Sequence, residues 1–292
     1  MPISYSKQLS LMKYLLLLFY FLNIGLLVFA QAEKIWETEA VFKFPETVVL
    51  DNKRECLYIS NLSQIPADGL YYGNDFVSKM TKSGEIVQLD WIDNLTSPTG
   101  LGIFKDKLYI VERFGVVEYD LEGDSISNKF LIKNAGFLND IAIDDKGNIY
   151  ISDTDNNTIH RIEEGKVENW IESDEITKIN GILYDNGKLI LGVNGDKSVK
   201  SVDIQTKDIE HIARIDFEQG AIDGIEKIGN DYLVSNFYGV LYQVKKDGSV
   251  KEILNFQQSQ TACANFAYIE KEKLLLVPAM WNHKVIGMRV NF

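Results

Sequence analysis

One sequence unit recurs six times along the chain, and this repetition constrains the fold more than any other feature. Each copy has a polar residue, a short apolar stretch, a turn and then a strongly apolar strand. A period of about 40–50 residues with several short strands per unit is typical of a β-propeller. The polar residues that open the units, called the anchor residues below, are 53, 40, 41, 43 and 42 residues apart: Glu46, Thr99, Asn139, Asn180, Asp223 and Asn265.

The third unit illustrates how four strands fit into one repeat. Residues 139–144 are the expected inner strand, and residues 148–153, 158–163 and 166–171 follow as the second, third and outer strands. Each is rich in β-branched or aromatic residues and is bounded by Asp, Asn or Gly. The sequence therefore predicts an all-β protein, a six-bladed β-propeller with four antiparallel strands per blade.

The two ends of the repeat array complement each other. The sixth unit runs out of chain after its third strand at 283–290, whereas a surplus strand at 34–44 precedes the first unit. Docking this amino-terminal strand as the missing outer strand would close the ring and remove an exposed edge. The large first spacing comes from an insertion at 62–75. A sandwich or another solenoid is the alternative, and six matched repeats disfavour both.

The amino terminus has the pattern of a targeting segment. Lys13 precedes an apolar run at 14–29, and the small residues Ala30 and Ala32 both offer a cleavage site. We expect residues 1–32 to be a signal peptide and residues 33–292 to be one propeller domain, in a secreted or periplasmic protein. The alternative is an uncleaved anchor, although the run is short for a membrane span and contains Asn23.

Charge and cysteine content narrow the partners. The formal net charge is −12 and no basic cluster is present, which argues against nucleic acid as a partner. The two cysteines, Cys56 and Cys263, have no spacing typical of a metal site. They fall in the first and last units, which are neighbours in a closed ring, so a disulfide and two buried free thiols both stay open.

The anchor residues form a candidate cation site. The inner strand of each blade lines the central channel, so all six anchors, each with a side-chain oxygen, are expected at one mouth. Calcium takes about six to eight oxygen ligands, and the two carboxylates, Glu46 and Asp223, would repel each other without a cation or protons. We predict that Glu46, Asn139, Asn180 and Asp223 bind a divalent metal ion, most simply Ca²⁺. The alternative is that Asn-Gly and Asp-Gly mark turns between blades.

At these anchors the chain resembles the superfamily of senescence marker protein, gluconolactonase and luciferin-regenerating enzyme. Paraoxonases and strictosidine synthase-like proteins are more distant relatives. The resemblance runs from about Phe44 to the end of the chain. Four short motifs carry it: Pro45-Glu46, Leu138-Asn139-Asp140, Asn180-Gly181 and Ile222-Asp223-Gly224. In the family these positions hold a Glu, an Asn, an Asn and an Asp around a divalent metal.

The resemblance implies a calcium-dependent hydrolase of a lactone or ester. The cation would polarise the substrate carbonyl and activate a bound water molecule. Asp223 is the candidate catalytic base, and Glu46 would mainly hold the metal. Phe137 stands where sugar-lactone members carry an Arg, which argues against aldonolactones and for a less polar pocket.

Loops between second and third strands are expected to surround the same mouth and to contact a substrate, together with the two remaining anchors. The insertion, with Tyr71 and Tyr72, is the longest of these loops. The predicted rim residues are Thr99, Asn265, Tyr72, Arg113, Phe137 and Trp281. Because fold does not decide function, the alternative is a non-catalytic calcium-stabilised propeller that binds a protein or glycan.

Overall fold

The computed structural model describes residues 32–63 and 74–292, which form six antiparallel sheets of four strands each. Residues 1–31 of the predicted signal peptide and the insertion residues 64–73, including Tyr71 and Tyr72, lie outside the described residues. The first strand, β1 (Ala32–Glu37), belongs to the last sheet. The prediction of an all-β six-bladed propeller is confirmed.

Each sheet is one blade, and in blades 1 to 5 the inner strand comes first in the chain. Blade 1 contains β2 (Pro45–Asp51), β3 (Cys56–Asn61), β4 (Asp75–Thr81) and β5 (Ile86–Leu95). Blade 2 contains β6 (Leu101–Phe104), β7 (Lys107–Glu112), β8 (Gly115–Asp120) and β9 (Ser125–Leu131). Blade 3 contains β10 (Leu138–Ile143), β11 (Ile149–Asp153), β12 (Thr158–Glu163) and β13 (Lys166–Glu172).

The second half of the ring repeats this order. Blade 4 contains β14 (Ile179–Asp185), β15 (Lys188–Val193), β16 (Ser198–Asp203) and β17 (Ile209–Arg214). Blade 5 contains β18 (Ile222–Ile228), β19 (Asp231–Asn236), β20 (Val240–Val244) and β21 (Val250–Asn255). Blade 6 contains β22 (Ala267–Ile269), β23 (Leu274–Ala279), β24 (Lys284–Val290) and β1. Short 3-10 turns occur at Asp174–Ile176, Gln257–Ser259, Glu270–Glu272 and Met280–Asn282.

The amino-terminal strand closes the ring as predicted. Strand β1 pairs antiparallel with β24, from Ala32 opposite Val290 to Glu37 opposite Ile286. The predicted strand at 34–44 is too long, because the chain must leave the sheet after Glu37 to cross from the outer edge of blade 6 to the channel. His283 supports this crossing: its Nδ1 lies 3.2 Å from the carbonyl oxygen of Phe42.

The hydrophobic core lies between the blades. The described residues form six buried apolar clusters, and each joins two neighbouring blades. At the closing junction Val48 and Leu57 of blade 1 pack in one cluster with Leu276 of blade 6 and with Phe42. All six junctions are apolar clusters, so ring closure is stabilised by the same kind of contact as every other junction. Burial of apolar surface contributes about 25 cal/mol per Å².

Direct hydrogen bonds between inner strands set the spacing of the channel wall. Asn265 N donates to the carbonyl oxygen of Glu46 at 2.9 Å, and Val48 N donates to that of Asn265 at 3.0 Å. Gly100 N donates to the carbonyl oxygen of Asn139 at 2.8 Å. The backbone at the anchors is therefore fixed from the neighbouring blade as well as from its own sheet.

Cys56 and Cys263 are both buried and free, and they lie in different core clusters, at the junctions of blades 1–2 and 5–6. The described part of the chain contains no helix long and apolar enough to cross a membrane.

Candidate functional site

The same β-bulge opens the inner strand of blades 1, 3, 4 and 5. In blade 3, Leu138 pairs with Asp153 but Ile141 pairs with Ile151, so two inner residues face one residue of the second strand. A bulge of this kind redirects side chains locally and is a specific structural feature, not an irregularity of the sheet. The first residue of each bulge is a predicted metal ligand: Glu46, Asn139, Asn180 and Asp223. The four candidate ligands therefore share one backbone setting.

A serine hydroxyl supports the bulge in three of these blades. It accepts the N–H of the second bulge residue, which would otherwise be buried without a partner. Blade 4 has Gly192 at this position. The sequence carries the signal as an Ile/Val-Ser-Asn/Asp tripeptide ending the second strand, which the repeat analysis did not use. The bonds join Thr47 N to Ser60 Oγ (3.0 Å), Asp140 N to Ser152 Oγ (3.0 Å) and Gly224 N to Ser235 Oγ (2.8 Å).

The glycines after Asn180 and Asp223 are required by close packing between blades. Gly181 lies within β14 and Gly224 within β18. A Cβ on Gly181 would overlap the carbonyl oxygen of Asp223, and one on Gly224 would lie 2.7 Å from Asn265 Oδ1. The alternative interpretation of these dipeptides as turns between blades is therefore wrong.

The two anchor carboxylates are buried without a compensating charge. Glu46 and Asp223 are each 5% exposed, and within the described residues neither carboxylate forms an ion pair. Burial, and then repulsion from Asp223, raises the pKa of Glu46 well above its usual range. Burial, and then repulsion from Asp140, raises the pKa of Asp223 to about 8. Such a pair needs a proton or a cation to be stable at neutral pH.

The side-chain oxygen of Asn180 is buried without a hydrogen-bond partner. Leaving a buried polar atom unpaired costs about 1–3 kcal/mol, so this atom needs an explanation. A cation ligand is one, because Asn180 shares its bulge position with the two carboxylates. The amide of Asn139 is oriented by Thr154, whose Oγ1 lies 3.5 Å from Asn139 Nδ2.

The donor set fits a hard cation better than a borderline one. Among the residues that the structure describes, no three His, Cys, Asp or Glu side chains are grouped to hold a metal ion. A cation bound by the carboxylates of Glu46 and Asp223 would thus also need the amide oxygens of Asn139 and Asn180 as ligands. Amide and carboxylate oxygens suit Ca²⁺, whereas Zn²⁺ prefers His and Cys.

Asp140 has a structural role that the sequence interpretation missed. Its carboxylate accepts the backbone N–H groups of Ile141 (2.8 Å) and Ile182 (2.9 Å) and the side-chain amide of Asn265 (2.6 Å). Blades 3 and 6 are opposite each other in a ring of six, so the bond to Asn265 crosses the channel. Burial raises the pKa of Asp140 to about 6. Asn265, a predicted rim residue, is thus engaged in bracing the channel.

Glu226 adds a further, partly buried carboxyl group three residues after Asp223 on β18. Burial, and then repulsion from Asp140, raises its pKa to about 8. The channel therefore holds an excess of acidic groups, which is the electrostatic setting that attracts a cation.

The other predicted rim residues occupy different environments. Thr99 is buried, and its hydroxyl donates to a backbone carbonyl of blade 3 at 3.3 Å. Arg113 donates from Nη1 to the backbone carbonyl that precedes Phe137 by one residue, so it is committed to the protein. Phe137 and Trp281 are 38% and 41% exposed at the anchor end of the blades. Tyr72 lies outside the described residues.

Comparisons with known proteins support the fold. No protein-family model matches the chain, and no curated protein matches its sequence. A solved structure of a putative gluconolactonase is 14% identical, with a TM-score of 0.69, over 90% of this chain and 93% of that one. A gluconolactonase from Xanthomonas campestris is 15% identical, with a TM-score of 0.67, over 86% and 87%.

Lyases are also among the structural neighbours. A catalytically inactive virginiamycin B lyase from Staphylococcus aureus, solved with quinupristin, is 14% identical, with a TM-score of 0.61, over 85% of this chain and 95% of that one. At these identities the likeness is one of fold. The resemblance to gluconolactonase-type propellers is confirmed at that level.

Proposed function

We propose that the chain is an exported, calcium-dependent hydrolase of a lactone or ester. One observation carries the proposal: four oxygen-bearing residues share the same bulge position around one channel, where two carboxylates lack a counter-charge and the Asn180 oxygen lacks a partner. The gluconolactonases among the structural neighbours support a lactone as substrate.

The ligands would be Glu46, Asn139, Asn180 and Asp223. A divalent cation held there would polarise the substrate carbonyl and stabilise negative charge on its oxygen. With the cation bound, the Asp223 carboxylate would accept a proton from the attacking water. The water oxygen adds to the carbonyl carbon, the acyl–oxygen bond breaks, and the proton passes to the leaving oxygen.

The exposed aromatic side chain of Phe137 favours an apolar substituent on the acyl or alcohol portion. Arg113 is bonded to a backbone carbonyl and is therefore not proposed to bind a substrate carboxylate. The environments of these two residues favour a hydrophobic lactone over a polyhydroxylated sugar acid as the substrate.

The test is turnover of a panel of aliphatic lactones and aryl esters, with calcium and after chelation. We expect calcium-dependent ring opening that disappears in Asp223→Asn. Gln88→Ala, an exposed change in the outer strand of blade 1, serves as the matched control. Turnover that is indifferent to chelation and to Asp223→Asn would contradict the proposal.

Product mass must be measured as well, because lyases are among the structural neighbours. Hydrolysis adds one water molecule to the mass of a lactone, whereas elimination leaves the mass unchanged. A product of unchanged mass would mean that the same site catalyses elimination and not hydrolysis.

A second function is favoured by the depth of the site. The four proposed ligands are only 5–9% exposed, so a cation held there could serve the fold alone. In that case the protein is a calcium-stabilised binding module for a protein or glycan. Absence of turnover, together with a large calcium-induced rise in melting temperature, would favour this second function.

Export is proposed from the amino-terminal sequence pattern. Amino-terminal sequencing of the protein recovered from the medium or periplasm should begin after Ala30 or Ala32. A chain that starts at residue 1 and sediments with membranes would instead indicate an anchor.

A further inference from the structure

A second cavity opens at the anchor end of blades 5 and 6, and it has a volume of about 620 Å³. It is formed by the loops that enter β18 and β22 and by the loops that join β19 to β20 and β23 to β24. The residues lining it are Gln219, Tyr238, Gln257, Gln260, Trp281 and Asn282. The cavity is thus distinct in composition from the acidic channel.

The lining is polar but uncharged, in a chain where 25% of residues are charged. Its four carboxamides each offer two donors and one acceptor. Within the described residues, no hydrogen bond engages these four side-chain amides, and Asn282 Oδ1 is buried without a partner. Two neighbouring grooves do carry charges. In one, Lys34 and Lys284 pair with Glu37 at 2.8 and 3.3 Å, and the other contains Asp216, Glu218 and Glu252.

The apolar part of the lining is a fixed aromatic corner. Tyr238 and Trp281 meet edge to face, with ring centroids 5.2 Å apart at 87°. Phe237 packs against Trp281 at 5.3 Å and 88°. Tyr238 and Trp281 are each 41% exposed, so part of their ring surface is open to a ligand.

The loops around the cavity are tied to one another. Asn236 Nδ2 donates to the carbonyl oxygen of Gln219 at 3.0 Å, and its Oδ1 accepts the N–H of Tyr238 at 2.9 Å. Phe256 N donates to the carbonyl oxygen of Gly239 at 2.7 Å, which links the loop that enters β22 to the loop that joins β19 to β20. The cavity is therefore preorganised, which lowers the entropic cost of binding.

From this combination we propose that the cavity is a binding site for a neutral sugar ring. A pyranose presents C–H groups that stack on an aromatic face and hydroxyls that match carboxamide donors and acceptors. A charged ligand would find no counter-charge in the lining, and a wholly apolar one would leave the amides unpaired. The proposal does not depend on hydrolysis in the central channel.

The test is binding of the purified protein to an array of immobilised neutral, acidic and basic glycans. We expect at least one neutral glycan to bind, with affinity reduced about tenfold or more in Trp281→Ala, since exposed Trp anchors dominate binding energy. Gln260→Ala should weaken binding about three- to tenfold by removing a neutral hydrogen bond.

Matched controls lie away from the cavity. Phe292→Ala removes an aromatic of similar exposure (40%), and Gln205→Ala removes an exposed carboxamide at the opposite end of blade 4. Both should bind as wild type does, and so should Asp223→Asn, which separates this proposal from the hydrolase proposal. Binding restricted to charged glycans, binding unaffected by Trp281→Ala, or binding to no neutral glycan would overturn it.

Discussion

Blades 1, 3, 4 and 5 differ from blades 2 and 6 in how their inner strands begin. The first group opens with a bulge, whereas β6 pairs with β7 without a register shift and β22 starts only after its anchor. In blades 2 and 6 the anchor side chains, Thr99 and Asn265, hydrogen-bond to groups of blade 3, whereas those of Glu46 and Asn139 bond within their own blades. One repeat position therefore has two uses: four blades present oxygen atoms to the channel, and two blades brace it.

Substituting one anchor residue from each kind of blade should give the largest difference in turnover and in calcium response. Asp223→Asn is expected to abolish turnover and the calcium-induced rise in melting temperature, because a charged ligand is lost. That rise should be about 5–10 °C in wild type, given about 2.7 kcal/mol at a hundredfold excess over Kd. Thr99→Val should keep both properties, and calorimetry with an activity assay measures this. Equal loss in both variants would break the comparison.

Glycine replacement tests the backbone difference between the two kinds of blade. In Gly181→Ala the new Cβ overlaps the carbonyl of Asp223, so we expect a loss of about 3 kcal/mol or more in the free energy of unfolding. In Gly102→Ala of blade 2 the new Cβ meets Ile143 Cδ1 at 2.9 Å, the end of a flexible side chain. That variant should lose about 1 kcal/mol. Denaturant titration compares them, and similar losses would mean that the bulged strands tolerate displacement.

Removing a bulge-supporting hydroxyl should have a smaller effect. Ser235→Ala leaves the N–H of Gly224 without its 2.8 Å acceptor, which should cost about 1–3 kcal/mol and weaken calcium binding several-fold. Ser249→Ala, in an exposed turn of the same blade, is the control. If calcium titration gives the same affinity for both variants, the bulge does not position Asp223.

The smallest effect concerns a buried carboxylate that does have a counter-charge. Burial alone would raise the pKa of Asp185, but hydrogen bonds from Lys227 and Tyr232 outweigh it and lower the pKa. A lowered folded-state pKa stabilises the protein above the unfolded value of about 3.9, and this stability is lost as pH falls through the folded pKa.

Lys227→Met should therefore cost at most about 1 kcal/mol at pH 7, because the lysine is partly exposed. The difference from wild type should shrink as pH falls below the unfolded pKa of about 3.9 and vanish below the lowered folded pKa. Unfolding free energies measured from pH 2 to 7 would show this. A difference that grows at low pH has the wrong sign for this pair.

The fold was predictable because its signal is repeated six times, so an error in one unit is corrected by the others. Closure by an amino-terminal strand followed from the strand missing at the end. The length of that strand did not follow, since Val41, Phe42 and Phe44 continue the β pattern whereas ring geometry forces the chain out of the sheet after Glu37.

The candidate site was only partly readable from sequence. The anchor positions follow from the repeat, but the bulge depends on pairing register between strands. The bond from Asn265 to Asp140 joins residues 125 positions apart, and no local pattern encodes it. Arg113 was predicted to contact a substrate at the rim, because its acceptor, a backbone carbonyl, cannot be identified from side-chain composition.

The pairing of β1 with β24 also orders events in time. Val290 lies 258 residues after its partner Ala32, so the first strand to leave the ribosome waits for the last. At about 5–20 residues per second this interval is roughly 10–50 s. During it, β1 has no partner strand and the ring stays open. A chain that ends before β24 would leave both β1 and the edge of β23 unpaired, and such open edges favour aggregation.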